Sequence, residues 1–62
     1  MSWELYEIWS VDEDGHEDLI DTTKSLKEAR AIAQANLSEY YAECIIYRQD
    51  EFGDLIEIER IK

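Results

Sequence analysis

The sequence predicts an α+β fold in the order β-β-α-β-β, a four-stranded antiparallel sheet with one helix packed on one face. Three observations predict it. Two Asp/Glu-rich turns ending in glycine each sit between apolar-polar segments of strand length. One alanine-rich stretch of helical period lies between those pairs. The whole chain is 62 residues, which leaves room for one domain, 1–62, and no second.

Residues 3–11, Trp-Glu-Leu-Tyr-Glu-Ile-Trp-Ser-Val, are rich in aromatic and β-branched types and read as the first strand. Asp12-Glu13-Asp14-Gly15 reads as a turn in which Gly15 takes positive φ. Residues 17–22 pair back and complete a hairpin over 3–22. A three-residue loop with a glycine bulge sets Asp12 opposite His16, Trp9 opposite Leu19 and Ile8 opposite Ile20.

The helix is predicted over 25–39. Ser25 followed by Glu28 fits a capping box. Leu26, Ala29, Ala33, Leu37 and Tyr40 recur at helical spacing, and the alanines let the helix lie close on a sheet. Residues 41–49 and 55–61 form a second hairpin, 41–61, around Asp50-Glu51-Phe52-Gly53. The hairpins could join through the first and fourth, the first and third, or the second and third strands; the first and third carry the densest apolar runs and are preferred for the centre of the sheet.

The hairpins resemble each other. An offset of 38 lays Ile8 on Ile46, Asp12-Glu13 on Asp50-Glu51, Gly15 on Gly53 and Ile20 on Ile58, with Trp9 falling on Tyr47. Either one hairpin is a duplicate of the other, or, the preferred account, shared glycine-turn chemistry selects such residues in any pair of hairpins of this kind.

Alternation assigns Tyr6, Ile8, Ile20, Cys44, Ile46, Ile56 and Ile58 to the face under the helix. The opposite face then holds Trp3, Leu5, Trp9, Val11, Leu19, Ile45 and Tyr47, mixed with Glu7, Asp21, Glu57 and Glu59. A face that meets only water is expected to be polar. A register slip of one residue would exchange the faces. Both parities, however, hold more apolar side chains than one helix covers. Trp3, Leu5, Trp9, Leu19, Ile45 and Tyr47 are therefore the expected interface.

Charge narrows the partners. The chain has 16 Asp plus Glu against 6 Lys plus Arg, a net −10. That opposes direct contact with nucleic-acid phosphates and with anionic membranes. The acidic surface is expected at Glu7, Asp12, Glu13, Asp14, Glu17, Asp18, Asp21, Glu57 and Glu59. Lys24, Lys27 and Arg30 cluster at the helix start. No apolar run approaches the ~20 residues of a membrane span. The first residues lack the pattern of a secretory signal. With a single thiol, the expected location is cytoplasmic.

Chemistry finds little support. Cys44 is the only thiol and His16 the only imidazole, one predicted in the core and the other in a turn. A core cysteine behaves as a small hydrophobe. The run Asp12–Asp18 does not match a calcium-loop pattern, and four ligands do not converge on one short turn. No catalytic residue, cofactor or metal is expected, and the chain is not expected to be an enzyme. The expectation is a small acidic protein-protein interaction module, homodimeric through the sheet face or a sheet edge. The alternative is an acidic mimic of nucleic acid that inhibits a DNA- or RNA-binding protein.

Overall fold

The computed structural model describes residues 5–62. The elements are β1 (Tyr6–Val11), β2 (Glu17–Thr23), α1 (Leu26–Ala35), β3 (Glu43–Gln49) and β4 (Leu55–Ile61). The strands form one antiparallel sheet in the order β2-β1-β3-β4, with the helix on one face. The first and third strands are central, as their apolar density predicts.

Both turns close by the same device. The Asp12 N–H donates to the His16 carbonyl at 3.0 Å, and the Gly15 N–H to the Asp12 carbonyl at 3.0 Å. The Asp12 carboxylate accepts the N–H groups of Asp14 and His16, each at 2.9 Å. Asp50 repeats this with Phe52 and Asp54, at 2.8 and 2.9 Å. Gly15 and Gly53 take φ of 86° and 85°, the left-handed region that glycine enters without steric cost.

The likeness of the hairpins extends beyond the turns. Each carries a bulge, one between Ile8 and Trp9 of β1 against β2, the other between Ile46 and Tyr47 of β3 against β4. These sites lie 38 residues apart, and Ile20 and Ile58 are the extra residues. Ile8 pairs with Ile46, its own counterpart in the offset, and Tyr6↔Arg48 mirrors Ser10↔Cys44. The hairpins are therefore related by an approximate two-fold axis through the Ile8–Ile46 pair.

The bulges correct the expected register. Ile8 lies opposite Asp21, not Ile20. Each extra residue reverses the alternation beyond it. Asp21 and Glu59 thereby leave the open face and join the rows of Ile8 and Ile46 on the helix side. Glu59 meets the helix there, accepting from Arg30 Nε at 3.0 Å.

The core under α1 is Tyr6, Ile8, Cys44, Ile46 and Ile61 of the sheet with Ala29 and Ala33, flanked by Ile20, Leu26, Ile32 and Leu37. Ile56 and Ile58, expected in it, are exposed. Ile58 sits on the bulge, and the restored alternation brings Ile61 inward instead.

Ser25 caps the helix by accepting the Glu28 N–H at 3.3 Å. The Glu28 carboxylate takes the Thr23 hydroxyl at 2.8 Å. The helix stops at Ala35, short of the predicted 39. Asn36 ends it, with its N–H on the Ile32 and Ala33 carbonyls and its side-chain amide donating to the Ile32 carbonyl at 2.8 Å. Tyr40, expected on the helical stripe, lies beyond this cap and is exposed.

One buried polar group stands out on the helix side. Ser10 Oγ is buried without a hydrogen-bond partner among the described residues, on the residue opposite Cys44. A buried, unsatisfied hydroxyl costs about 1–3 kcal/mol. Ser10→Ala is expected to raise stability by roughly 1 kcal/mol, read as a higher urea midpoint at unchanged slope.

Candidate interaction surface

Among the described residues, no element covers the face of the sheet opposite α1. Strand pairing arranges that face in rows. Glu17, Val11 and Glu43 form one; Leu19, Trp9, Ile45 and Arg60 the next; Thr22, Glu7, Tyr47 and Glu57 the third. Gln49 and Leu55 pair beyond them.

Two aromatic rings stand at its centre. Trp9 and Tyr47, counterparts in the two-fold, meet edge to face with centroids 6.2 Å apart, a geometry the ring quadrupoles favour. Their polar ends are tied to the surrounding carboxylates. The Trp9 indole donates to Glu7 at 3.1 Å, and the Tyr47 hydroxyl to Glu17 at 2.8 Å. Gln49 donates to the other Glu7 oxygen at 3.2 Å. On the far side, Arg60 bonds Glu43 at 2.6 Å and Glu57 at 3.1–3.2 Å. The rows thus carry four carboxylates, Glu7, Glu17, Glu43 and Glu57, against one guanidinium, Arg60.

The expected interface residues fare differently. Trp3 lies outside the described residues. Leu5 is half-buried just before β1, Trp9 and Tyr47 are half-buried in the face, and Leu19 is 50% exposed. Ile45 corrects the expectation, because it is 1% exposed. Trp9 and Arg60 flank it in its row, so a side chain with no helix above it is covered by its neighbours.

The acidic residues also divide. Glu13, Asp14, Glu17, Asp18, Asp21 and Glu57 are exposed, while Glu7 and Glu59 are half-buried. The Asp12 side chain is only 8% exposed and is occupied in bracing its turn. Glu43 and Arg60 belong to the open face and were absent from the expected set. Glu43 shares parity with Ile45 and Tyr47, which was a usable signal. Arg60 reaches this face only through the β4 bulge, which no residue pattern announced.

The Tyr47 hydroxyl is pushed up to about 12 by burial first, then by its bond to Glu17 and the charges of Glu17 and Glu57. Burial and Glu43 raise the Cys44 thiol as well. A raised acid contributes stability that is full below its unfolded value and lost as pH rises through its folded value. For Tyr47 that window is pH 10 to about 12. Urea midpoints are expected to fall across it, and Tyr47→Phe to make that fall shallower. Equal slopes for the two proteins would contradict the assignment.

Cys44 is buried, and His16 is exposed beside Asp12 at 3.7 Å. Among the described residues no three His, Cys, Asp or Glu side chains are grouped to hold a metal ion. No helix there is long and apolar enough to cross a membrane. The chain matches no known family model, no curated protein and no solved structure.

Proposed function

We propose that this chain is a small acidic, non-enzymatic protein-protein interaction module that works through its open sheet face, in a reducing cytoplasm suited to its single buried thiol. The observation that carries the reading is the Trp9–Tyr47 pair, held at the centre of a face that no element among the described residues covers. Large aromatic side chains with satisfied polar tips are typical anchors of protein interfaces. Both sheet edges, β2 and β4, carry a bulge, a feature that discourages strand addition. The face is thereby favoured over the edges.

A homodimer is the second reading, and a different observation favours it. Phe52, Leu55, Ile56 and Ile58 are all exposed on the second hairpin, Phe52 by 82%. The two-fold places Leu55 and Ile56 where the first hairpin carries Glu17 and Asp18. Hairpin two is thus the less charged outer side, where two acidic copies would repel least.

Sedimentation equilibrium at low and high salt separates these readings when combined with Trp9→Ser and Ile56→Lys. Under the first reading, Trp9→Ser abolishes face-mediated association, with self or another protein, while the fold is retained. Under the second, a dimer survives high salt, is broken by Ile56→Lys and ignores Trp9→Ser. If Trp9→Ser unfolds the chain, Trp9 serves the fold and the first reading fails.

A further inference from the structure

The partner's chemistry can be read from the charges that frame the aromatic pair. Glu7 accepts from an indole and an amide, and Glu17 from a phenol. These donors are neutral, so their bonds cancel neither carboxylate. Arg60 is already shared between Glu43 and Glu57. The face therefore keeps an excess of negative charge around two π-systems. Burial is the first cause of the rise of the Tyr47 hydroxyl, followed by its bond to Glu17; the charges of Glu17 and Glu57 add to it and Arg60 opposes it.

A second copy fits this surface poorly. Face-to-face packing would set carboxylates against carboxylates, and like charges across an interface repel. A guanidinium fits on both counts. Its plane stacks on indole or phenol rings, and its fork pairs with carboxylates in two-point contact. The edge-to-face contact of Trp9 and Tyr47 does not stack ring on ring, so ring surface is left for a planar cation.

We infer that the open face binds an arginine-bearing basic segment of another protein, with a guanidinium seated on the Trp9–Tyr47 pair and bonded by the Glu7 and Glu17 carboxylates. The inference rests on the reading of the open face as the interaction surface, and names its partner class.

The test titrates the ¹⁵N-labelled full chain with amidated nona-arginine, with nona-lysine, and with a glycine-serine peptide as control. Nona-arginine is expected to shift the Trp9 indole N–H and the amides of Leu19, Ile45 and Tyr47, and to bind several-fold tighter than nona-lysine. Trp9→Leu is expected to weaken it about 3- to 30-fold. Two double variants remove equal charge from different places. Glu7→Gln with Glu17→Gln is expected to weaken binding strongly, while Glu13→Gln with Asp14→Asn leaves it within about two-fold.

Equal weakening by the two double variants would overturn the inference, because net charge alone would then explain binding. So would shifts confined to the turn around Glu13. If nona-arginine leaves the face unmoved but those resonances shift with protein concentration, the partner class is wrong and the interaction face stands. If they move in neither titration, both fall.

Discussion

Ile8→Ala is expected to cost about 2–5 kcal/mol, a large part of the roughly 3–9 kcal/mol that a chain of this size commands. Ile8 is fully buried, pairs with Ile46 on the approximate two-fold axis and lies in the core cluster with Ala29 and Ala33. The buried helical residues of that cluster, Ala29 and Ala33, have side chains too short to move into the space left. The cavity therefore stays open, which places the cost toward the upper end. Ile58→Ala supplies the comparison. It removes the same atoms from a bulge residue that is 39% exposed, and is expected to cost less than about 1 kcal/mol. Urea unfolding of the two variants reads the difference. Comparable losses would mean that β4 runs without its bulge and that Ile58 packs under the helix.

The contrast between Ile8 and Ile58 shows what the residues disclosed and what they withheld. Turn chemistry is local, so Asp12 to Gly15 and Asp50 to Gly53 identified both hairpins, and the turn fixed the pairing of Trp9 with Leu19. The central position of β1 and β3 followed from their apolar density. The bulges were not legible. A bulge adds one residue without requiring glycine or proline, and here the extra residues are isoleucines that suit a regular strand equally well. Every face assignment past a bulge was consequently reversed, which moved Asp21 and Glu59 to the helix side and brought Arg60 to the open face. The helix end is a different case. Asn36 ends the helix at φ −99° by donating its side-chain amide to the Ile32 carbonyl, a contact that the apolar spacing of Leu37 and Tyr40 does not disclose.

Parity correctly placed Trp9, Tyr47 and Ile45 on the side opposite the helix, because β1 and β3 pair without interruption from Tyr6↔Arg48 to Val11↔Glu43. Parity carries no information about depth. Whether a residue on an uncovered face is accessible depends on the size of its neighbours and on which charges fold over it. Those neighbours come from strands distant in the chain.

Ile45→Ala is accordingly expected to destabilise the fold by about 2–5 kcal/mol, comparable to Ile8→Ala, although no helix lies above it. Ile45 is 1% exposed, with Trp9 on one side and Arg60 on the other. Arg60 is held by Glu43 and Glu57, so its aliphatic stem stays beside the row while its head remains wet. Trp9 is fixed by Glu7 and by its contact with Tyr47. Ile45 thus belongs to a small second core that supports the aromatic pair. Leu19→Ala, in the same row but 50% exposed, is expected to change stability by less than about 1 kcal/mol. The two variants separate support from contact. On the reading proposed for this face, Leu19→Ala weakens binding in a folded protein, whereas Ile45→Ala shows a lowered urea midpoint before any partner is added. A negligible stability loss for Ile45→Ala would mean that this side chain is accessible, and would return it to the contact surface where its parity first placed it.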